Sequence, residues 1–133
     1  VWPVKAFDER DARAVRRRIA ALEPDRHTRV GAALRHATAQ LARRRERHRL
    51  LLLLSDGKPN DVDVYEGRYG VEDARQAVVE ARAEGIHAFC LAIDRAAPRY
   101  AARMFGPGGY ATLAHARELP TALVEVLRGL IVR

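Results

Sequence analysis

The sequence is poor in cysteine, serine, lysine and aromatic residues. Cys90 is its one cysteine, so no internal disulfide can form. It stands inside the apolar run "HAFCLAI", which marks it as a buried strand residue rather than a reactive thiol. Aromatic residues make up 6% of the chain, and none interleaves with the basic runs, so the stacking platform of a single-strand binder is missing. No stretch reaches the roughly 18 consecutive apolar residues of a membrane span. The opening "VWPVKAFDER" has neither an apolar core nor a small-residue cleavage site, so it is not a signal peptide. These absences predict a reducing, cytoplasmic setting without membrane insertion. Catalytic patterns are missing too. There is no Walker-type glycine loop, no Ser-His-Asp or Cys-His order with a nucleophile elbow, and no zinc-ligand spacing among the five histidines. "GPGG" at 106–109 reads as a turn into a strand. No enzyme is expected.

What the chain does have is 133 residues with 48% hydrophobic side chains, enough for one domain and one core over residues 1–133. The net charge of +7 comes mostly from arginine in "RDARAVRRRIA" and "LARRRERHR". Such a balance admits a nucleic-acid-binding domain, whose affinity would fall steeply with salt. It equally admits an acidic protein partner, or merely solvated helix faces. The lack of interleaved aromatics weighs against nucleic acid.

Periodicity orders the elements. "VWPVK" reads as the tail of a strand. Asp8 is placed to cap a helix running to about Leu22, with Val15, Ile19 and Leu22 on one face. Thr28 precedes a second helix with Val30, Leu34, Ala37 and Leu41 inward. His48 to Leu54 is continuously apolar, the pattern of a parallel strand buried on both faces. A polar loop, "KPNDVDVYEGRYG", leads to a helix over Val71–Glu84 with Gly85 as its C-cap. "IHAFCLAI" is a second buried strand, and Pro98 starts a helix through Phe105. "YATL" is a short strand, and "LPTALVEVLRGLI" a last helix with Leu119, Leu123, Val126, Leu127 and Leu130 inward. Alternation of this kind gives an α/β fold: a three-layer sandwich with a mainly parallel sheet and helices on both faces.

In such sheets, ligands bind beyond the carboxyl ends of the strands. Asp56 and Asp94 both stand where an apolar run stops. In "LLLLSDG", Asp56 could hold Mg²⁺, directly or through water. It could accept a phosphoryl group, but the further acids and downstream lysine of a receiver are missing. It could bind a ribose, but the G-x-G-x-x-G turn is missing. It could also merely cap its loop by accepting backbone N–H groups. Asp61, Asp63, Glu66, Glu72 and Asp73 lie beyond it and suit either a partner contact or a solvated, capping loop.

"LLLLSDGKPNDVDVYEGRYGVEDARQAV" resembles the fourth-strand region of a von Willebrand factor A domain. The resemblance is strongest to the domain of the NorD family of nitric oxide reductase activation proteins and their CbbO relatives. "VKAFDE", "HTRVGAALRHAT", "GIHAFCLAID" and "MFGPGGYATL" resemble further family segments in the same order. The resemblance implies a metal-ion-dependent adhesion site, usually for Mg²⁺. Thr28 and Asp56 match two of its three loops, with Ser55, Gly57 and His27 as its rim. The third loop, D-x-S-x-S, has no match, because Ser55 is the only serine. The expectation is therefore a domain lacking its N-terminal strands, with about 60 residues of a domain of ordinary size upstream of Val1. Mg²⁺ is expected for the complete domain. The resemblance also implies a MoxR-type AAA+ ATPase as partner. The target would be nitric oxide reductase on the NorD side, or Rubisco on the CbbO side.

Overall fold

The computed structural model describes residues 1–23, 29–57, 68–94 and 96–132. Three parallel strands form one sheet in the order β1 (Leu50–Ser55), β2 (His87–Ala92), β3 (Tyr110–Thr112). Helix α1 covers Ala12–Ala20 and α2 covers Val30–Ala42. Helix α3 (Arg68–Ala83) joins β1 to β2, and α4 (Ala97–Phe105) joins β2 to β3. A single 3₁₀ turn, Ala116–Glu118, leads into α5 (Leu119–Ile131).

The strand order follows the chain order, and parallel crossovers are right-handed. Both connecting helices therefore fall on the same face of the sheet. There α3 packs between α2 and α4. Its buried residues, Gly70, Val71, Ala74, Ala77, Val78 and Ala81, recur at helical spacing. All but two of them are glycine or alanine, so neighbouring elements approach closely. At Gly31 of α2 an added Cβ would overlap the Asp73 carboxylate and stand 3.1 Å from the Asp73 carbonyl carbon. Arg35, one turn further along α2, bridges Asp73 and Glu80 of α3, each at 2.7 Å. The core beneath holds Ile86, which leads into β2, with Ala88, Cys90 and Ala92 from β2 and Met104 and Phe105 from α4. Gly85 caps α3 as its sequence position predicts. Its φ of 71° is the left-handed conformation that glycine takes without strain, and Ile86 N–H closes on Ala81 O at 3.0 Å.

The other face of the sheet carries His87 and Phe89, whose rings stack, and Ala111. Helix α5 lies over these residues, so helices do cover both faces. The second cover is thin. Neither α5 nor α1 buries a residue, although Leu123 and Leu127 of α5 were expected inward. A cavity of about 220 Å³ remains between α5 and the strands.

Three expectations are corrected. Residues 1–5 form no strand: Val1 and Trp2 are exposed, and Pro3 has no N–H to give a ladder. The segment is held instead by Arg18, which donates to Val4 O at 2.9 Å and pairs with Glu9. The cap of α1 is Asp11 rather than Asp8, and it accepts from the N–H groups of Arg13 and Ala14. Strand β1 is not buried on both faces, since Leu54 is 56% exposed. Its partner lies on one side only, at β2, and the described residues supply no neighbour to its outer edge. No helix among the described residues is long and apolar enough to cross a membrane.

Candidate metal centre

The carboxyl ends of β1 and β2 lie side by side, because the parallel register pairs Ser55 with Ala92. Beyond that pair, Ile93 N–H donates to Ser55 O at 2.8 Å, so the ladder continues to the last residue of β1. The chain then turns sharply. Ser55 Oγ donates to Gly57 O at 2.5 Å and accepts from Gly57 N–H at 3.3 Å. A hydroxyl folded back onto the backbone two residues on closes a local turn without help from a strand. Asp56 stands at the apex of that turn and is exposed. Among the described residues no hydrogen bond or ion pair reaches its carboxylate. Among the described residues, a Cβ added at Gly57 would meet nothing within 4 Å.

Asp94, at the end of β2, is differently placed. One carboxylate oxygen accepts from Ala96 N–H at 2.9 Å and the other from the Tyr100 hydroxyl at 3.1 Å. It thus fixes the chain as it turns into α4, and both oxygens are occupied. Tyr100 was not singled out from the sequence. A signal existed: it falls on the apolar stripe of α4 with Ala97, Ala101, Met104 and Phe105, where a buried hydroxyl needs a partner. Burial first, and then the Asp94 carboxylate, push the Tyr100 hydroxyl up to about 12, so it remains a donor over the ordinary pH range.

The structure keeps Ser55, Asp56 and Gly57 together in one turn. Thr28 and His27 lie outside the described residues, as do Asp61, Asp63 and Glu66. Glu72 and Asp73 do not face the turn as free acids. Glu72 pairs with Arg103 and Arg75, and Asp73 with Arg35. Among the described residues no three His, Cys, Asp or Glu side chains gather into a metal cage. The donors present do suit a hard cation that keeps most of its water. They are an exposed carboxylate and an adjacent hydroxyl, both oxygen.

The family model of the von Willebrand factor type A domain matches residues 1–119, and the chain belongs to this family. Within it, the chain is similar to Protein NorD of Brucella melitensis, 54% identical over 128 residues, which is 96% of this chain and 20% of that protein. It is also 54% identical to Protein NorD of Stutzerimonas stutzeri over 107 residues, 80% of this chain and 18% of that protein. An uncharacterized protein of Pseudomonas aeruginosa is 51% identical over 97% of this chain and 21% of its own length. The chain thus spans about a fifth of the length of the curated relatives it matches. No solved structure matches the chain.

Proposed function

We propose that this chain is the interaction module of a NorD-like accessory protein and works through a divalent cation, Mg²⁺, at the carboxyl end of β1. The observation that carries this reading is Asp56, exposed and without a side-chain partner among the described residues, at the apex of the Ser55–Gly57 turn in a chain of the von Willebrand factor type A family. Asp56 and Thr28 would hold the ion, with Ser55, Gly57 and His27 at its rim. When bound, the cation offers an electrophilic site that a partner's carboxylate completes. Asp56 supplies a single negative charge, which leaves the ion attractive to an incoming acid. The arginines of α1, Arg13, Arg16 and Arg17, favour the approach of an acidic surface at long range.

The similarity to proteins named NorD supports the nitric oxide reductase side of the family resemblance over the Rubisco side. In this reading the module links a MoxR-type AAA+ ATPase to nitric oxide reductase during its maturation, and it catalyses nothing itself. Calorimetric titration with Mg²⁺ and Mn²⁺ tests the metal step. Saturable binding that Asp56→Ala abolishes is the expected result. Binding that survives in Asp56→Ala removes Asp56 from the site. Capture of the ATPase, lost on adding a chelator and in Asp56→Ala, tests the partner step. Capture that depends on salt but not on metal would replace the cation bridge by simple charge attraction.

A further inference from the structure

We infer that the cavity at the amino ends of β2 and β3 binds a small oxyanion of the phosphate class, held by Arg82 of α3 and the N–H of Gly108. Asp56 lies at the carboxyl end of the same parallel sheet, so the two sites are independent.

The cavity has a volume of about 480 Å³. Gly85 and His87 line it where the chain enters β2, and Gly108 and Gly109 where it enters β3. Arg82 reaches it from the last turn of α3. This guanidinium is fixed in place by one of its nitrogens. Nη2 donates to Phe105 O at 2.6 Å, with Ala88 O 3.4 Å away. Glycine at 109 makes the approach possible, since a Cβ there would overlap Phe105 O and stand 2.8 Å from Nη2. Among the described residues, Nη1 and Nε have no acceptor and no carboxylate pairs with Arg82. Arg18, Arg35, Arg75 and Arg103, by contrast, each meet an acid. A guanidinium bonded only to backbone carbonyls keeps its full charge, and its planar fork suits the oxygens of an anion.

The negative ends of α3 and α4 also meet here, but their carbonyls are engaged. Ala81 O and Arg82 O accept from the Ile86 and Gly85 N–H groups, Glu84 O from Arg49, and Ala102 O from Gly106 N–H. Gly106 O accepts from Gly109 N–H. The donors are not all engaged. Gly108 N–H has no acceptor among the described residues, and a Cβ at Gly108 would meet nothing within 4 Å. Arg49 adds charge nearby: its Nη2 would stand 3.3 Å from a Cβ at Gly85, and its Nε is buried without a partner. Among the described residues no acid lines the cavity; Glu125 lines the adjoining one beneath α5. The donors come from a helix and from a loop, not from one plane. A tetrahedral oxyanion accepts from several directions, whereas a planar carboxylate is satisfied by the arginine fork alone.

The test is titration of the protein with inorganic phosphate at constant ionic strength, followed by amide chemical shifts and by calorimetry. A saturable shift centred on the Gly108 amide is expected. Arg82→Gln weakens phosphate binding about tenfold, the factor for one hydrogen bond to a charged group. Arg82→Lys keeps the charge and a donor for Phe105 O, and weakens it less. In Arg82→Lys the Ile86 amide, bonded to Ala81 O, keeps its protection from hydrogen exchange, which shows the end of α3 intact. Arg99→Gln removes the same charge from the first turn of α4, the end away from Phe105, and keeps wild-type affinity. A Gly108 amide that does not saturate overturns the inference, as does undiminished affinity in both Arg82 variants. Equal weakening in Arg99→Gln also overturns it, because the effect would then be the general attraction of a basic chain. Acetate that saturates the same amides with equal affinity overturns the phosphate class.

Discussion

Helices α3 and α1 both set arginines against an apolar stripe, yet α3 buries six residues and α1 buries none. The difference lies in connectivity. Helix α3 joins two adjacent parallel strands, and a right-handed crossover leaves it nowhere to lie but on the sheet. Helix α1 precedes β1 and joins no pair of described strands. Its position depends on Arg18, which ties it to Glu9 and Val4, and on the segment before it, where Arg44 sits over the Phe7 ring. An amphipathic pattern states that a face prefers cover. It does not state what provides the cover.

The largest test of this contrast is in the core beside α3. Phe105 is fully buried, and Phe105→Ala is expected to cost about 3–5 kcal/mol in urea denaturation. A much smaller cost would mean that the α3 side is as loosely packed as the α1 side.

An intermediate test uses pH. Burial pushes the Cys90 thiol up to about 11 from 9.0, and burial with Asp94 pushes the Tyr100 hydroxyl up to about 12 from 10.0. Between those values the unfolded chain has released protons that the folded chain still holds. These two groups therefore stabilise the fold fully below about pH 9, and their contribution is lost as pH rises towards 12. Cys90→Ala should remove the earlier part of this alkaline loss and Tyr100→Phe the later part, as read from melting temperature against pH. Equal alkaline loss in all three proteins would assign it elsewhere.

The smallest effect is expected on α1. Ile19 is 54% exposed, so Ile19→Ala should change stability by less than about 0.5 kcal/mol. A cost several times larger would show that α1 is covered in the whole protein, and would break the contrast.

Most of the fold was legible in the sequence, because β1, β2, α3 and α4 carry long, unambiguous patterns. Gly85 marked the end of α3 by the conformation it alone takes cheaply. Apart from the cap of α1, which fell on Asp11 instead of Asp8, the failures share a cause. "VWPVK", the inward face predicted for α5 and the two-sided burial of β1 were all inferred from apolar content, and each needed a neighbour that local sequence does not specify. Leu54 belongs to the same leucine run as Leu51, yet one is exposed and the other buried. The candidate site divides in the same way. Asp56 stood out as a candidate because a carboxylate is out of place at the end of a leucine run. Tyr100 was missed because its bond to Asp94, six residues earlier, depends on how the chain turns from β2 into α4. Thr28 and His27, matched by resemblance, lie outside the described residues.

The tight seat of Gly31 against Asp73 has a mechanical consequence. Gly31 stands one residue into α2, and Asp73 lies in the second turn of α3. The segments 24–28 and 58–67 lead into these two helices, and they carry Thr28 and the stretch that follows Asp56. Their downstream roots are thus clamped to each other, with the Arg35 bridge as a second bolt a turn away. A partner pulling on one segment loads both helices at once. Such a common footing shares a load on either helix between the two of them and passes it to the sheet as one unit.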